Sequence, residues 1–225
     1  MELLEKIRGK IIVSVQAMPD EPLYDEVCMR AMMASVVNGG ASALRVAGAR
    51  DVKNAKTFGL PVIGLTKPDK LPANWKEVVY ITPTLKEINE LIEANADIIA
   101  FDGTSRTRPE GCTLNDIIKR IHEAGKLAMA DIATLDEGIN CAKLGADILS
   151  TTLSGYTKES ESDLTTPDYD LLEQLVKSTN IPVILEGRIW LPEEVKKAFN
   201  LGAFSVVIGS AITRPQLITK RFVNY

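Results

Sequence analysis

The chain has 225 residues, 45% of them hydrophobic and 25% charged, with a formal net charge of −4. This is globular composition with enough apolar matter for a sizeable core, and the mild acidity supplies no bulk attraction to nucleic acid or anionic lipid. There is no basic run, the opening "MELLEKIRGKIIVSVQ" has no basic-then-apolar leader pattern, and no apolar stretch nears the ~20 residues that span a bilayer, so the expectation is a cytoplasmic protein without nucleic-acid or membrane partners.

Short β-branched or aliphatic runs recur along the chain: "KIIVSVQ" (10–16), "SALRV" (42–46), "PVIGLT" (61–66), "DIIAFD" (97–102), "KLAMAD" (126–131), "DILSTT" (147–152), "PVILEG" (182–187) and "SVVIGS" (205–210). Their spacing is about 28 residues, and the segments between them carry helical periodicity, as in "NDIIKRIHEA" (115–124) and "LDEGINCAKL" (135–144). Each run follows a Gly or Asn suited to closing a helix in the left-handed conformation: Gly9, Gly39 and Gly40, Gly59, Asn95, Gly125, Gly145, Asn180 and Gly202. The openings alternate in type. "GKII", "GLPV", "GKLA" and "NIPV" precede odd runs, while "GASA", "NADI", "GADI" and "GAFS" precede even ones.

Alternating strands and helices require a parallel sheet, and strands without polar alternation imply burial on both faces. Eight βα units predict a single (β/α)8 TIM barrel over residues 1–225, with a doubly wound open sheet as the structural alternative. The irregular segment "KPDKLPANWKEVVYITPT" has room for a short ninth strand, and the tail "ITKRFVNY" is suited to barrel packing or a subunit contact. Cys28, Cys112 and Cys141 are odd in number and widely spaced, so they read as buried structural thiols rather than a disulfide or metal framework.

In a barrel the C-terminal strand ends carry the chemistry. Those ends are Gln16, Arg45, Lys67, Asp102, Asp131, Thr151 and Thr152, Glu186 with Gly187 and Arg188, and Gly209 with Ser210. Polar groups thus converge on one rim, although Asp102 and Asp131 have helix capping as a competing role. The glycine turns after runs seven and eight, with Arg214 nearby, match the common phosphate position of the fold, plain tight turns being the alternative. No dinucleotide or triphosphate-binding fingerprint is present. The only histidine, His122, sits inside a predicted helix, which excludes a His-based metal centre. Carboxylates with substrate oxygens would suffice for magnesium, but the reading takes no metal and no cofactor.

The segments "IVSVQA", "ALRV", "VIGLTK", "YITPT", "DIIAFDGTSRTRP", "LAMADIAT", "STTLSGYT", "PVILEGRI" and "GSAITRPQLITKRF" resemble, in order and over almost the whole chain, the bacterial N-acetylmannosamine-6-phosphate 2-epimerases. The resemblance implies a homodimeric barrel interconverting N-acetylmannosamine 6-phosphate and N-acetylglucosamine 6-phosphate in sialic-acid catabolism. It implies Lys67 and Glu186 as the catalytic pair, Gln16, Arg45 and Asp131 around the sugar, and Gly187, Arg188, Gly209, Ser210 and Arg214 near the phosphate; Thr152 joins the substrate-binding set. Three positions depart from the family pattern: Val15 replaces a common Cys, Ala47 stands where a polar residue is usual, and Leu191 replaces a Thr that would cap the helix beginning at Pro192.

The chemistry of these residues is coherent on its own terms. Epimerisation at carbon 2 needs an open-chain aldehyde, a base for the carbon-2 proton, stabilisation of the enolate and a proton returned to the other face. A lysine base must be neutral, and burial beside Arg45 lowers its pKa from the usual value of about 10.4. Glu186 then donates the proton or helps open the ring. Two other classes keep a claim on the same residues: a Schiff-base aldolase or lyase using Lys67, and a non-enzymatic phosphosugar-binding module using the glycine turns and Arg214.

Overall fold

Runs of four or five apolar residues are too short to fold alone, and they satisfy their backbone groups by pairing in parallel with their neighbours. In the computed structural model, which describes residues 2–224, eight strands close into a barrel in sequence order. Met1 of the opening segment and Tyr225 of the tail lie outside the described residues. The strands are β1 (Ile11–Val15), β2 (Ala43–Ala47), β3 (Val62–Leu65), β4 (Ile98–Asp102), β5 (Leu127–Asp131), β6 (Ile148–Ser150), β7 (Val183–Glu186) and β8 (Ser205–Ile208). Around them run α1 (Glu2–Ile7), α2 (Glu26–Asn38), α3 (Ala49–Lys56), α4 (Leu85–Glu93), α5 (Leu114–Glu123), α6 (Leu135–Lys143), α7 (Tyr169–Ser178), α8 (Pro192–Asn200), α9 (Ser210–Thr213) and α10 (Pro215–Val223). β1 pairs with β8, closing the cylinder, so the fold is the TIM barrel and not the open sheet.

Side chains alternate along each strand between two cores. Ile12, Ala43, Ile63, Ile98, Met129, Ile148, Ile184 and Val207 point inward and meet beneath the mouth. Their neighbours Val13, Leu44, Val62, Ile99, Ala130, Leu149, Leu185 and Val206 pack against the helices. Fully burying one such aliphatic side chain contributes about 1.5–3 kcal/mol. Ile7 of α1 and Phe204 join the inner core, so α1 closes the barrel at the end opposite the chemistry. Because the inner positions recur at every second residue, one step further along each strand lies the next inward group: Ser14 and Gln16, Arg45, Leu65 and Lys67, Asp131, Ser150 and Thr152, Glu186, Gly209.

Helix starts are written in the sequence. Thr84, Thr113 and Thr134 each accept a backbone N–H in the first turn, while Glu87, Asp116 and Glu137 accept the N–H of their capping threonine. Positive φ appears at Gly9, Gly40, Gly59, Asn95, Gly125, Gly145 and Gly202, as expected of the helix-closing positions, but Gly39 (φ −74°) and Asn180 do not share it. The chain leaves α7 through an extended Thr179, whose N–H and hydroxyl both donate to the Leu175 carbonyl at 2.9 Å, so no left-handed residue is needed there. The ninth strand is also absent. Residues 80–84 make two isolated backbone–backbone bonds to the barrel, Thr82 N–H to the Thr66 carbonyl and Asp102 N–H to the Ile81 carbonyl, both 3.1 Å, while Thr82, turned to φ 44°, accepts Thr66 N–H at its hydroxyl and donates to the Ala100 carbonyl. Of the cysteines, Cys141 is buried while Cys28 and Cys112 are half-buried. Among the described residues, no helix is long and apolar enough to cross a membrane.

At α8 the pattern is broken: Glu194 accepts the N–H groups of Leu191 (3.0 Å) and Trp190 (2.7 Å), but Leu191 has no oxygen to return. Leu191→Thr is expected to complete the capping pair and raise stability by ~1 kcal/mol, read as a higher urea midpoint with unchanged slope.

Candidate active site

The inward residues at the strand ends surround a cavity of about 460 Å³ at the mouth of the barrel. Gln16, Lys67, Thr152, Glu186, Gly187, Arg188, Gly209, Ser210 and Arg214 all line it. Arg45 and Asp131 do not. They lie under its floor, 1% and 0% exposed, with polar side-chain contacts to Glu186 and Thr152 of the cavity wall.

The floor is an ion pair. Arg45 Nη2 donates to Asp131 Oδ2 at 2.6 Å, and Arg45 Nε stands 3.2 Å from Glu186 Oε2 without an aligned hydrogen bond. Burial works against the guanidinium charge, but the carboxylates of Asp131 and Glu186 outweigh it and its pKa is raised. Thr152 Oγ1 bridges the two acids, 2.8 Å from Asp131 Oδ1 and 2.9 Å from Glu186 Oε2. Burial raises the pKa of Glu186, with Asp131 adding to the effect and Arg45 opposing it.

Lys67 stands two residues past the end of β3, half-buried, with its amine on the wall. β3 and β7 are four places apart in a ring of eight strands, so Lys67 and Glu186 face each other across the cavity. Desolvation, then the positive charge of Arg45, lowers the Lys67 pKa to about 8. An amine with that pKa is roughly one-tenth neutral at pH 7, some hundreds of times more than an ordinary lysine.

Beside Glu186 the wall is formed by the turns after β7 and β8. Gly187 and Arg188 turn the chain through positive φ (111° and 58°), a conformation that costs a non-glycine residue about 1 kcal/mol or more. The Arg188 guanidinium donates to the carbonyls of Ser154 and Thr166, each at 2.8 Å, and lies over the Tyr156 ring. It therefore braces the loop after β6. Arg214 is paired with Glu21 at 3.1 Å and has its own edge on the cavity beside Gly209 and Ser210. Gln16 donates Nε2–H to Ser14 Oγ at 2.9 Å, leaving Oε1 buried without a partner.

The chain has strong relatives at every level of comparison. A family model described as "Putative N-acetylmannosamine-6-phosphate epimerase" matches residues 29–225. The chain belongs to that family. A Clostridium perfringens protein (strain ATCC 13124) named "Putative N-acetylmannosamine-6-phosphate 2-epimerase" is 49% identical over 223 residues, 99% of each chain. One of the same name from Caldanaerobacter subterraneus is 47% identical over 228 residues, covering 100% of this chain and 94% of its own. The solved structure of the N-acetylmannosamine-6-phosphate 2-epimerase from Clostridium perfringens superposes with a TM-score of 0.92 at 49% identity, covering 98% of this chain and 95% of that one. A thiamine phosphate pyrophosphorylase from Pyrococcus furiosus reaches 0.62 at 16% identity, a likeness of fold alone.

Against the epimerase-family pattern, Val15 is 1% exposed in the outer core, a matter of packing, and Ala47 packs against the inner core. Asp102 caps no helix: it accepts Thr104 N–H at 3.0 Å in a local turn and pairs with Arg106 at 2.6 Å. Arg106 in turn donates to the carbonyls of Trp75, Lys76 and Val78, fixing the loop that carries Trp75 and Tyr80 onto the cavity wall. His122 lies far from the mouth, its Nε2 2.8 Å from Asp147. Among the described residues, no three His, Cys, Asp or Glu side chains gather as a metal site.

Sequence reading missed Ser14, Ser150 and the loop residues Met18, Leu71, Trp75, Tyr80, Tyr156 and Trp190. Ser14 and Ser150 were reachable by stepping back two residues from Gln16 and Thr152. The aromatics were not, since irregular loops carry no period.

The depressed lysine has a measurable consequence. Between pH 8 and 10.5 the unfolded chain binds a proton that folded Lys67 has already lost, so the protein gains stability as pH rises through that window. Below it both states are protonated and the buried charge costs up to ~3 kcal/mol. In urea denaturation, wild type minus Lys67→Met is expected to shift by about that amount in favour of wild type from pH 7 to pH 10.5; a flat difference would show an ordinary amine.

Proposed function

We propose that this enzyme interconverts N-acetylmannosamine 6-phosphate and N-acetylglucosamine 6-phosphate by moving a proton at carbon 2 of the ring-opened sugar. The observation that carries the reading is the opposition of a desolvated amine and a buried carboxyl group, Lys67 and Glu186, across one cavity. The printed name of the family and of its relatives supports the same substrate pair. The role in sialic-acid catabolism, a cytoplasmic setting and a homodimer belong to this proposal.

Opening the ring exposes the aldehyde at carbon 1 and makes the carbon-2 proton acidic. Neutral Lys67 removes it from one face, and Glu186 returns a proton on the other. Negative charge that develops on the carbon-1 oxygen is stabilised by Arg45 through its field from beneath the floor, where burial keeps it weakly screened. The unpaired Gln16 Oε1 offers an acceptor for the acetamido N–H. The phosphate takes the side formed by Gly187, Arg188, Gly209 and Ser210, and draws Arg214 from its pairing with Glu21.

Incubating N-acetylmannosamine 6-phosphate with the protein in deuterium oxide and following proton NMR is expected to give product labelled at carbon 2. Scarce label in recovered substrate points to two groups rather than one lysine serving both faces. Lys67→Ala is expected to lower kcat by at least about 10³-fold while ligand affinity stays within tenfold; an undiminished rate removes Lys67 from the mechanism. Borohydride trapping of a substrate adduct on Lys67 would instead establish Schiff-base chemistry.

A further inference from the structure

The hydroxyls beneath Glu186 count protons. Thr152 Oγ1 has three oxygen neighbours: Asp131 Oδ1 at 2.8 Å, Glu186 Oε2 at 2.9 Å and Ser150 Oγ at 2.8 Å. A threonine hydroxyl offers one proton and two lone pairs. Asp131 is the anion paired with Arg45, so it takes the Thr152 proton. Ser150, fully buried, donates to one Thr152 lone pair; its next nearest acceptor here, Glu186 Oε2, is 3.4 Å away. The remaining lone pair faces Glu186 Oε2, and that contact is attractive only if the carboxyl group supplies the hydrogen. An ionised Glu186 would leave two bare oxygens facing each other at 2.9 Å. The guanidinium offers no remedy, because Arg45 Nε makes no aligned bond to Oε2.

We propose that Ser150 and Thr152 are positioning residues that hold the resting proton on Glu186 Oε2, keeping Glu186 as a carboxylic acid until the enolate takes that proton at carbon 2. This rests on the epimerase reading for its chemistry, but the protonation state is a property of the free protein. The charged groups that face Glu186 are Arg45 from β2, Lys67 beyond β3 and Asp131 from β5; Arg214 beyond β8 acts on Lys67. After transfer the new carboxylate has Arg45 beside it and Lys67, now protonated, opposite, so charge balances within the site.

The direction of a titration decides the matter. If Thr152 accepts from Glu186, removing its hydroxyl makes the acid easier to ionise. If Thr152 donates to an ionised Glu186, removing it makes ionisation harder. Infrared difference spectra of substrate-free wild type against Glu186→Gln, recorded across pH, are expected to show a protonated-carboxyl band at pH 7 that the variant lacks. Thr152→Val is expected to move the loss of that band about one unit to lower pH, and Thr152→Ser to restore it. Absence of the band in wild type, or a shift to higher pH in Thr152→Val, overturns the proposal. Should Thr152→Val fail to fold, the wild-type spectrum alone decides. Because these spectra need no turnover, failure here leaves the epimerase reading standing, and failure of deuterium incorporation leaves the location of the proton standing.

Discussion

Taking the Arg45 guanidinium out of water carries a large desolvation cost, and the site is arranged around its compensation. An uncompensated buried charge costs several kcal/mol, and breaking a buried pair typically costs 3–5 kcal/mol. Asp131, 86 residues away in sequence, meets Arg45 at 2.6 Å where the cylinder brings β2 and β5 within reach through its interior. The pair forms a charged layer above the aliphatic floor of Met129, Ile63 and Ile184. Everything polar above it inherits its field: Lys67 is drawn toward neutrality, while Glu186 is exposed to an anion and a cation at once.

A second buried pair does a different task. Asp102 and Arg106 lie off the cavity and organise loops rather than protons. Arg106 holds the carbonyls of Trp75, Lys76 and Val78 in the segment after β3, and that segment is tied to the loop after β6 by Lys158 with Glu77, Lys76 with Glu161, and the Lys158 N–H to the Lys76 carbonyl. Trp75, Tyr80 and Tyr156 are thereby placed as walls of the cavity that Lys67 also lines. Similar barrels at 16% identity share the cylinder without these side chains' arrangement being implied, which is why function is argued from the strand ends and not from the fold.

The fold was legible because its local signals agree. Eight runs, helix-closing glycines and threonine-capped helices all follow from near neighbours in the chain, and the pairing of β1 with β8 follows once strand twist closes the ring. Where local chemistry offered two solutions, the reading went astray. At Asn180 a threonine hydroxyl replaced the left-handed residue, and at 80–84 two isolated backbone bonds and the Thr82 hydroxyl stood in for a strand.

The site divides along the same line. Residue type and strand-end position were enough to place Lys67, Glu186, Gln16 and the two glycine turns around one opening, because side chains alternate with period two along any strand. Whether a polar strand end reaches the cavity or lies sealed below it depends on how far each strand rises relative to its neighbours. That stagger put Asp131 level with Ser150 and Asp102, and Glu186 level with Val207. It is set by closure of the whole sheet, a sum over eight pairings that no single segment encodes. Only the tertiary structure therefore decided that Arg45 and Asp131 lie beneath the floor and that Thr152 lies between two acids.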